Sequence, residues 1–222
     1  MTKTAWVFPG QGSQALGMGI DLQDISLAKS KFEIAEKILG WSILDICQGD
    51  DETLARTLYT QPCLYVVESI LVDLLAERIG LPQLVAGHSL GEYVALYAAG
   101  AFDFESGLKL VKKRAELMDS AAGGKMAALM KFDRSQLMAA LSETNNVVLA
   151  NDNSAGQVVI SGTPEAVAEI LGKVKAKRVM ALNVSGAFHS PLMQEASEQF
   201  LDVLNSVNFN DAQVPVLSNV EP

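Results

Sequence analysis

The spacing of apolar and polar residues predicts alternating strands and helices over residues 1–122. Short apolar runs at Thr4–Phe8 and Leu84–Ala86 are typical of buried strands. Apolar residues recur at helical spacing in four segments, around Lys29–Leu39, near Leu64–Glu77, at Gly91–Ala99 and at Phe104–Ala121. Such an alternation is the pattern of an α/β protein with a parallel sheet.

The pattern changes after Ala121-Ala122-Gly123-Gly124, a run of small residues that favours a hinge. Beyond it the predicted order is β-α-β-β-α-β, the ferredoxin-like arrangement, with Asp152–Gly156 as its hairpin loop. Its elements are strand Met126–Met130, helix Ser135–Leu141, strands Val147–Asn151 and Gln157–Ser161, helix Pro164–Val174 and strand Val179–Val184. We therefore expect a large domain of residues 1–123 and 187–222 and an inserted small domain of residues 124–186.

Composition limits the function classes. The 222 residues, 49% of them hydrophobic, can form one large domain or two small ones with a real core. A net charge of −9 argues against nucleic acid or an anionic membrane as the main partner. No apolar run reaches membrane-spanning length, and Met1-Thr2-Lys3-Thr4 leads into Ala5–Phe8 without a signal-peptide core. We expect a cytoplasmic protein that binds neither nucleic acid nor membrane.

Cysteine and histidine are scarce. Cys47 and Cys63 are too few and too widely separated for a disulfide framework or a zinc site, so we expect small core residues of a reduced protein. Two histidines add little for a metal to bind, and we expect no metal site.

One of those histidines lies inside Gly87-His88-Ser89-Leu90-Gly91, which fits the G-x-S-x-G nucleophile elbow. A predicted strand precedes it and a predicted helix follows, which favours an active serine over a merely structural glycine-rich turn. Ser89 needs a base, and near neutral pH that base is usually an imidazole. His88 adjoins Ser89 and an elbow directs neighbouring side chains apart, which leaves His189. We expect Ser89 and His189 to meet at the cleft between the domains.

Arg114 breaks the helical pattern of Phe104–Ala121. On a helical wheel it lies in the middle of the apolar arc, whereas the other charged residues occupy the opposite arc. A buried guanidinium needs an anionic partner. The wheel alone leaves two alternatives open, an internal salt bridge to an Asp or Glu and a bidentate site for a ligand carboxylate.

The loop Gly10-Gln11-Gly12-Ser13-Gln14-Ala15 follows the first predicted strand and nominally fits the dinucleotide-binding pattern G-x-G-x-x-A. That pattern also needs an acidic residue about 20 positions later, after a second strand, whereas Ser30–Glu33 lies there inside a helical pattern. A dinucleotide site is therefore a poor interpretation. Acyl transfer through Ser89 makes better use of the loop, because backbone N–H groups can bind a developing oxyanion.

Five motifs together resemble the malonyl-CoA:acyl carrier protein transacylases over the whole chain, in order and approximate spacing. They are Phe8–Gln14, Gln61-Pro62, Gly87–Tyr93, Arg114 and Ala187-Phe188-His189-Ser190. The resemblance implies an α/β-hydrolase-like large domain and a ferredoxin-like small domain. It also implies transfer of malonyl from coenzyme A to Ser89, then to the phosphopantetheine thiol of acyl carrier protein, in fatty-acid biosynthesis. Malonyl-CoA is then the substrate, and no cofactor is permanently bound.

The resemblance also assigns roles by motif position. Ser89 is the nucleophile, His189 is the base and acid, and Arg114 is the clamp on the malonyl carboxylate. Gln11 and the backbone N–H of Leu90 form the oxyanion hole. The clamp role resolves the two alternatives for Arg114 in favour of the ligand.

Two further expectations concern substrate and carrier. Phe188 is expected to crowd an α-methyl group on the substrate, against the alternative that it only fills the core. Acyl carrier proteins are acidic, so docking on a negatively charged enzyme needs a local basic patch. We place that patch at Lys173, Lys175, Lys177 and Arg178, the basic cluster, in preference to the lysines at 109, 112 and 113.

The family extends beyond Asn219-Val220-Glu221-Pro222, where this chain ends. In the family, the further segment completes the large domain and contains a glutamine whose backbone carbonyl orients the catalytic histidine. The resemblance therefore predicts either a fragment, with apolar surface open near Val214–Leu217, or a naturally short chain, monomeric if complete. Two other functions remain open: a serine esterase or thioesterase with the same elbow, and a non-catalytic carrier-binding fragment.

Overall fold

The structure is a computed structural model that describes residues 3–121 and 123–220. Met1, Thr2, Ala122, Glu221 and Pro222 lie outside the described residues, and with them parts of the expected hinge, N-terminal segment and chain end. The chain divides into two compact units. The first unit is Met1–Ala115 with Asp202–Pro222, and the second unit is Glu116–Leu201. The expected domain boundaries near residues 123 and 187 stay a prediction.

The elements that the sequence pattern predicts occur in the predicted order, and the structure adds helices at Ile43–Gln48, Asp51–Ala55 and Gln194–Asn205 and a strand at Val216–Leu217. In chain order the elements are β1 (Ala5–Phe8), α1 (Ser26–Leu39), α2 (Ile43–Gln48), α3 (Asp51–Ala55), α4 (Thr57–Ile79), β2 (Leu84–Gly87), α5 (Gly91–Ala98), α6 (Phe104–Ser120), β3 (Lys125–Phe132), α7 (Arg134–Glu143), β4 (Val147–Ser154), β5 (Gln157–Gly162), α8 (Pro164–Lys173), β6 (Ala176–Ala181), α9 (Gln194–Asn205) and β7 (Val216–Leu217). Short 3-10 helices occur at Ile20–Leu22 and Pro191–Met193.

The first unit is built on a parallel sheet with β2 between β1 and β7. Val85 pairs with Trp6 on one side and Val216 on the other, and it is fully buried. Helix α5 packs against β1 and β2. Because the strands are parallel, they end at the same edge of the sheet, where Phe8 pairs with Gly87. The chain leaves β2 at that edge through the sequence predicted to be the elbow.

Helix α4 forms the core of the first unit. It packs against α1, α2, α3 and α5, and every residue from Thr60 to Ile70 is buried. A segment enclosed on all sides needs no polar face, in keeping with the apolar run Pro62–Val67. By length and composition its 23 residues could cross a membrane, but most of the helix is buried in the protein. The expectation that no apolar run reaches that length is therefore wrong for Thr57–Ile79, although buried core helices meet the same test.

The second unit has the ferredoxin-like arrangement that the sequence predicts. Its four strands pair antiparallel in the order β4-β5-β3-β6. Alternate β3 residues face opposite sides of the sheet, as the period of a strand requires. Leu129 joins a core with α7 and α8, whereas Ala128 joins a second cluster that contains Phe188. The α/β fold class, with one parallel and one antiparallel sheet, is confirmed.

Two predicted boundaries in the second unit are corrected. The apolar run predicts a strand at Val179–Val184, but β6 begins at Ala176 and ends at Ala181. Five of its six residues are exposed on an edge strand, so apolar residues do not mark its start. The predicted five-residue hairpin loop shrinks to Ala155-Gly156, because Asp152 and Ser154 still pair with β5.

Candidate active site

The elbow occupies the turn between β2, which ends at Gly87, and α5, which begins at Gly91. Ser89 has a φ of 52°, a left-handed conformation that is uncommon for a residue with a side chain. The two glycines permit this turn because backbone passes close to each. A Cβ on Gly87 would lie 1.9 Å from the carbonyl carbon of Gly91, and one on Gly91 would lie 2.2 Å from the oxygen of Phe8. The strand-turn-helix context expected for the elbow is therefore present.

Most backbone N–H groups of the elbow are already used. The His88 N–H donates to the oxygen of Phe8 at 2.9 Å, the Gly91 N–H to His88 at 3.0 Å and the Glu92 N–H to Ser89 at 3.2 Å. Within the part of the chain that the structure describes, no hydrogen bond occupies the N–H of Leu90. Leu90 is the N-cap of α5, where the helix dipole favours negative charge. The oxyanion role of this N–H stays a prediction.

Arg114 contacts the predicted nucleophile directly. Its Nη2 donates a hydrogen bond to Ser89 Oγ at 3.0 Å, and its Nη1 donates to Gln61 Oε1 at 2.6 Å. The guanidinium carbon lies 5.5 Å from the centre of the Tyr93 ring. Burial lowers the pKa of Arg114, an effect that the nearby Tyr93 and Glu92 partly oppose. Arg114 is half-buried, and its contact with the fully buried Gln61 shows that its side chain faces α4, as the wheel predicts for the apolar arc.

Gln61 explains how a guanidinium is held at this place without an internal carboxylate. It is a fully buried residue of α4, and its amide oxygen is a neutral acceptor. A neutral acceptor satisfies one N–H group but adds no negative charge beside the guanidinium. The arrangement is suited to an anionic ligand next to Ser89, because a ligand carboxylate would supply the missing charge.

The glycine-rich loop lies against the elbow. A Cβ on Gly10 would lie 2.4 Å from the oxygen of His88, so this glycine permits the close approach. The Gln11 side chain donates from Nε2 to Thr57 Oγ1 at 3.0 Å, which fixes the loop to α4. Among residues 3–121 and 123–220, no hydrogen bond occupies the backbone N–H of Gln11. The loop thus has a second N–H available for an oxyanion.

The second unit contains the other two predicted site residues. His189 has a φ of 58°, and the turn around it is fixed by Ser190, whose Oγ donates to the oxygen of Ala187 at 2.7 Å. Phe188 is 4% exposed and packs in a cluster with Met118, Met126, Ala128 and Val159. This packing gives Phe188 a core role, and its role in a substrate pocket stays a prediction. The pairing of His189 with Ser89 also stays a prediction.

The model of the acyl transferase domain family matches residues 5–221. The chain belongs to the acyl transferase family. This acyltransferase is 62% identical over 220 residues to the malonyl CoA-acyl carrier protein transacylase of Synechocystis, a match that covers 99% of the chain and 75% of the relative. The family that the motifs predict is therefore confirmed.

Solved structures agree with that relationship. The crystal structure of the malonyl-CoA:ACP transacylase of Synechocystis matches this acyltransferase with a TM-score of 0.98 and 62% identity, covering 100% of this chain and 75% of that one. A structure of a type II polyketide synthase acyl carrier protein in complex with its malonyl-transacylase gives a TM-score of 0.91 at 38% identity, with 99% and 75% covered.

The basic cluster of the acyltransferase is not uniform. Lys173, at the end of α8, forms ion pairs with Glu169 at 2.7 Å and Glu143 at 3.9 Å, and these raise its pKa. Lys175, Lys177 and Arg178 are exposed at the start of the edge strand β6. All four side chains are thus exposed to solvent, Lys173 with its charge already paired, and the role of the cluster in docking stays a prediction.

Side chains of the types that commonly bind metals do not cluster in the described part of the chain. Over residues 3–121 and 123–220, no group of three His, Cys, Asp or Glu side chains could hold a metal ion. Cys47 and Cys63 are free thiols with no exposed surface, in agreement with the core position expected for them.

Gln61 and Tyr93 are the site residues whose contacts sequence reasoning missed. Both stood inside motifs, but nothing along the chain connected them to Arg114. One signal was available, because Gln61 is a polar residue directly before the apolar run Pro62–Val67. A buried amide needs a hydrogen-bond partner, and that partner is Arg114.

Proposed function

We propose that this chain transfers malonyl from coenzyme A to the phosphopantetheine thiol of acyl carrier protein in fatty-acid biosynthesis, through a malonyl ester on Ser89. The observation that carries the proposal is the half-buried Arg114 guanidinium, which donates hydrogen bonds to Ser89 Oγ and to the neutral amide of Gln61. A cation beside the nucleophile suits an acyl group that ends in a carboxylate. Relatives named as malonyl transacylases support the same substrate.

In the first half-reaction, Ser89 Oγ attacks the thioester carbonyl carbon of malonyl-CoA while His189 accepts its proton. The carbonyl oxygen gains negative charge, which the N–H groups of Gln11 and Leu90 stabilise. When the tetrahedral intermediate collapses, the C–S bond breaks and the imidazolium of His189 protonates the departing coenzyme A sulfur. Malonyl is then an ester of Ser89.

The second half-reaction is the reverse with another thiol. His189 takes the proton of the phosphopantetheine thiol, and the sulfur attacks the ester carbonyl carbon. The same N–H groups stabilise the oxyanion. The C–O bond to Ser89 breaks, Ser89 Oγ recovers a proton from His189, and malonyl leaves on the carrier.

Arg114 supplies the selectivity. Its planar fork binds a carboxylate in bidentate fashion, and burial strengthens the pair. An acetyl group, which has no carboxylate, leaves the guanidinium without that partner. The site therefore favours malonyl over uncharged acyl groups, and it disfavours the plain ester of an esterase substrate. Residues of the protein supply the nucleophile, the base, the oxyanion donors and the carboxylate-binding group. The cycle therefore requires malonyl-CoA as substrate and the carrier as acceptor, with no bound cofactor.

The proposal is tested with malonyl-CoA labelled in the malonyl group. The protein should acquire label on Ser89, the Ser89→Ala variant should acquire none, and added carrier bearing phosphopantetheine should remove the label as malonyl-carrier. Release of free malonate without carrier, at the rate of acylation, would instead indicate a thioesterase. No label on folded protein would indicate a carrier-binding module. Either of these two results contradicts the proposal.

A further inference from the structure

Asn219 lies at the elbow although it is far from it in sequence. Strand β7 pairs in parallel with β2, with Leu217 opposite Ala86. Continuing this register by two residues, past the ends of β2 and β7, brings Asn219 level with His88, at the sheet edge where the elbow begins. The position of Asn219 is therefore a consequence of strand pairing.

The side-chain amide of Asn219 bonds to the elbow at three points. Its Oδ1 accepts a hydrogen bond from the N–H of Ser89 at 3.2 Å. Its Nδ2 donates to the carbonyl oxygen of Gly87 at 2.8 Å and also to Oε2 of Glu92, in the first turn of α5. The amide thus connects the end of β2, the nucleophile and the start of the elbow helix.

The chemistry of these partners fixes the orientation of the amide. The Gly87 carbonyl and the Glu92 carboxylate only accept hydrogen bonds, and the Ser89 N–H only donates one. An amide rotated by 180° would place its oxygen against the Gly87 and Glu92 oxygens and its NH₂ group against the N–H of Ser89. Aspartate has the same shape but lacks both donors, and serine is too short to make three contacts. Asparagine is therefore the side chain that satisfies all three groups.

We propose that Asn219 is a positioning residue for the nucleophile: it holds Ser89 in its left-handed conformation and keeps the Ser89 N–H away from the oxyanion, which leaves the Leu90 N–H as the donor of the elbow. This inference rests on the proposed function. At a φ of 52°, Ser89 needs surrounding contacts to persist in this conformation, because a residue with a side chain seldom adopts it. The bond from its N–H to Asn219 is such a contact, and it acts on the backbone that carries Oγ.

Two variants separate positioning from packing. Asn219→Ala removes all three contacts, whereas Asn219→Asp keeps the volume and places an acceptor against the Gly87 oxygen and the Glu92 carboxylate. We expect both to lower the maximal rate of Ser89 acylation by malonyl-CoA about 10- to 100-fold, because small displacements of a reacting group are costly. The KM for malonyl-CoA should stay within about twofold, because Arg114 and Gln61 are untouched. Space-filling alone would leave the Asn219→Asp variant active.

Asn210→Ala is the matched control. Asn210 lies in the same C-terminal stretch, and its side chain also contacts a backbone carbonyl, that of Gly100 at 3.5 Å, away from the elbow. The acylation rate of the Asn210→Ala variant should equal that of the wild type. Circular dichroism and the thermal midpoint of all three variants show whether any loss follows the folded fraction.

A second probe keeps the test independent of the substrate. A small sulfonyl fluoride reacts with activated serines and carries no carboxylate, so its rate of reaction with Ser89 reports the elbow alone. Both Asn219 variants should react more slowly than wild type by a factor similar to their loss of acylation. If the wild type reacts with this probe but is not labelled by malonyl-CoA, the proposed function fails while the sulfonyl fluoride rates still decide the role of Asn219.

Three results would overturn the positioning role. They are an Asn219→Asp variant that acylates and reacts with sulfonyl fluoride within about twofold of wild type, a change confined to the KM for malonyl-CoA, and a loss that matches the folded fraction.

Discussion

Arg114 Nη2 donates a hydrogen bond to Ser89 Oγ across 3.0 Å, so the cation and the nucleophile of the candidate site are in direct contact. The hydroxyl oxygen accepts this bond, which favours the alkoxide character that develops when a base removes its proton. A guanidinium has five N–H donors and can bind a ligand carboxylate while it remains at the serine. One residue can therefore contribute both to selectivity and to the environment of the nucleophile.

Arg114→Ala should lower the rate of malonyl transfer by about 100-fold or more, because a charge-assisted bidentate pair in a buried site is lost. Transfer of acetyl should be spared or improved, since acetyl has no carboxylate to bind. The measurement is kcat/KM for malonyl-CoA and acetyl-CoA. Arg114→Lys is the control that keeps the charge and loses the fork, and it should recover only part of the preference. An unchanged malonyl-to-acetyl ratio in Arg114→Ala would show that the clamp role is wrong.

Gln61→Glu should weaken malonyl binding by supplying an internal carboxylate to Arg114. The new side chain has the same shape, and its oxygen would take the place of an acceptor 2.6 Å from Nη1. An internal ion pair competes with the malonyl carboxylate, so the KM for malonyl-CoA should rise about tenfold or more. Gln61→Met, neutral and similar in size, should disturb the orientation of the Arg114 guanidinium without competing for its charge. Equal KM values for the two variants would contradict the argument that a neutral acceptor matters here.

Sequence patterns revealed the parts of this site that depend on local periodicity. The elbow is a contiguous motif, and the helical wheel of α6 is enough to place Arg114 on the face that contacts α4. Gln61 and Asn219 could not be assigned in this way, because their contacts join residues 53 and 130 positions apart. The same reason explains β6, whose exposed edge residues carry no apolar signal and whose bounds depend on pairing with β3. The pairing between distant segments determines which residues meet at such positions, and no local pattern in the sequence shows that pairing.

Phe188→Ala should destabilise the second unit by about 3–5 kcal/mol, because a large side chain that is 4% exposed leaves a cavity among Met118, Met126, Ala128 and Val159. Urea unfolding followed by circular dichroism measures the change. The expected steric gate adds a second readout: wild type should prefer malonyl-CoA to methylmalonyl-CoA by about 1–3 kcal/mol in transition-state free energy. Equal rates with the two substrates would leave Phe188 with its core role alone.

Reversing the charges of Lys175, Lys177 and Arg178 to Glu should raise the KM for acyl carrier protein about three- to tenfold at low salt and leave acylation by malonyl-CoA intact. The difference should shrink as salt screens exposed charges. Lys173 is omitted because it is already paired with Glu169. The double variant Lys29→Glu, Lys37→Glu serves as control, since both lysines are also exposed and lie on α1. A carrier KM that does not change, or that changes equally in the control, would contradict docking at the basic cluster.

Glu68 should make the first unit less stable as the pH rises. This carboxyl is 7% exposed, lines a largely apolar cavity of about 420 Å³ beside Trp6 and Leu71, and neither of its oxygens has a hydrogen-bond partner within the described residues. Burial raises its pKa from an ordinary value of 4.5 to about 8. Between these two values the unfolded chain has lost the proton and the folded chain retains it, so the free energy of unfolding falls as the pH rises from about 4.5 to about 8.

Glu68→Gln removes this titration while it keeps the shape of the side chain. The variant should therefore gain stability relative to wild type at pH 9, by about 1–3 kcal/mol, and gain little at pH 5, where Glu68 is largely neutral in the folded protein. Urea unfolding at the two pH values measures both differences. Glu77→Gln, an exposed change on the same helix, controls for the loss of one negative charge. Only a Glu68 that titrates between the two pH values makes the stability difference between Glu68→Gln and wild type depend on pH. The same difference at pH 5 and pH 9 would therefore mean that Glu68 is not a buried, protonated carboxyl.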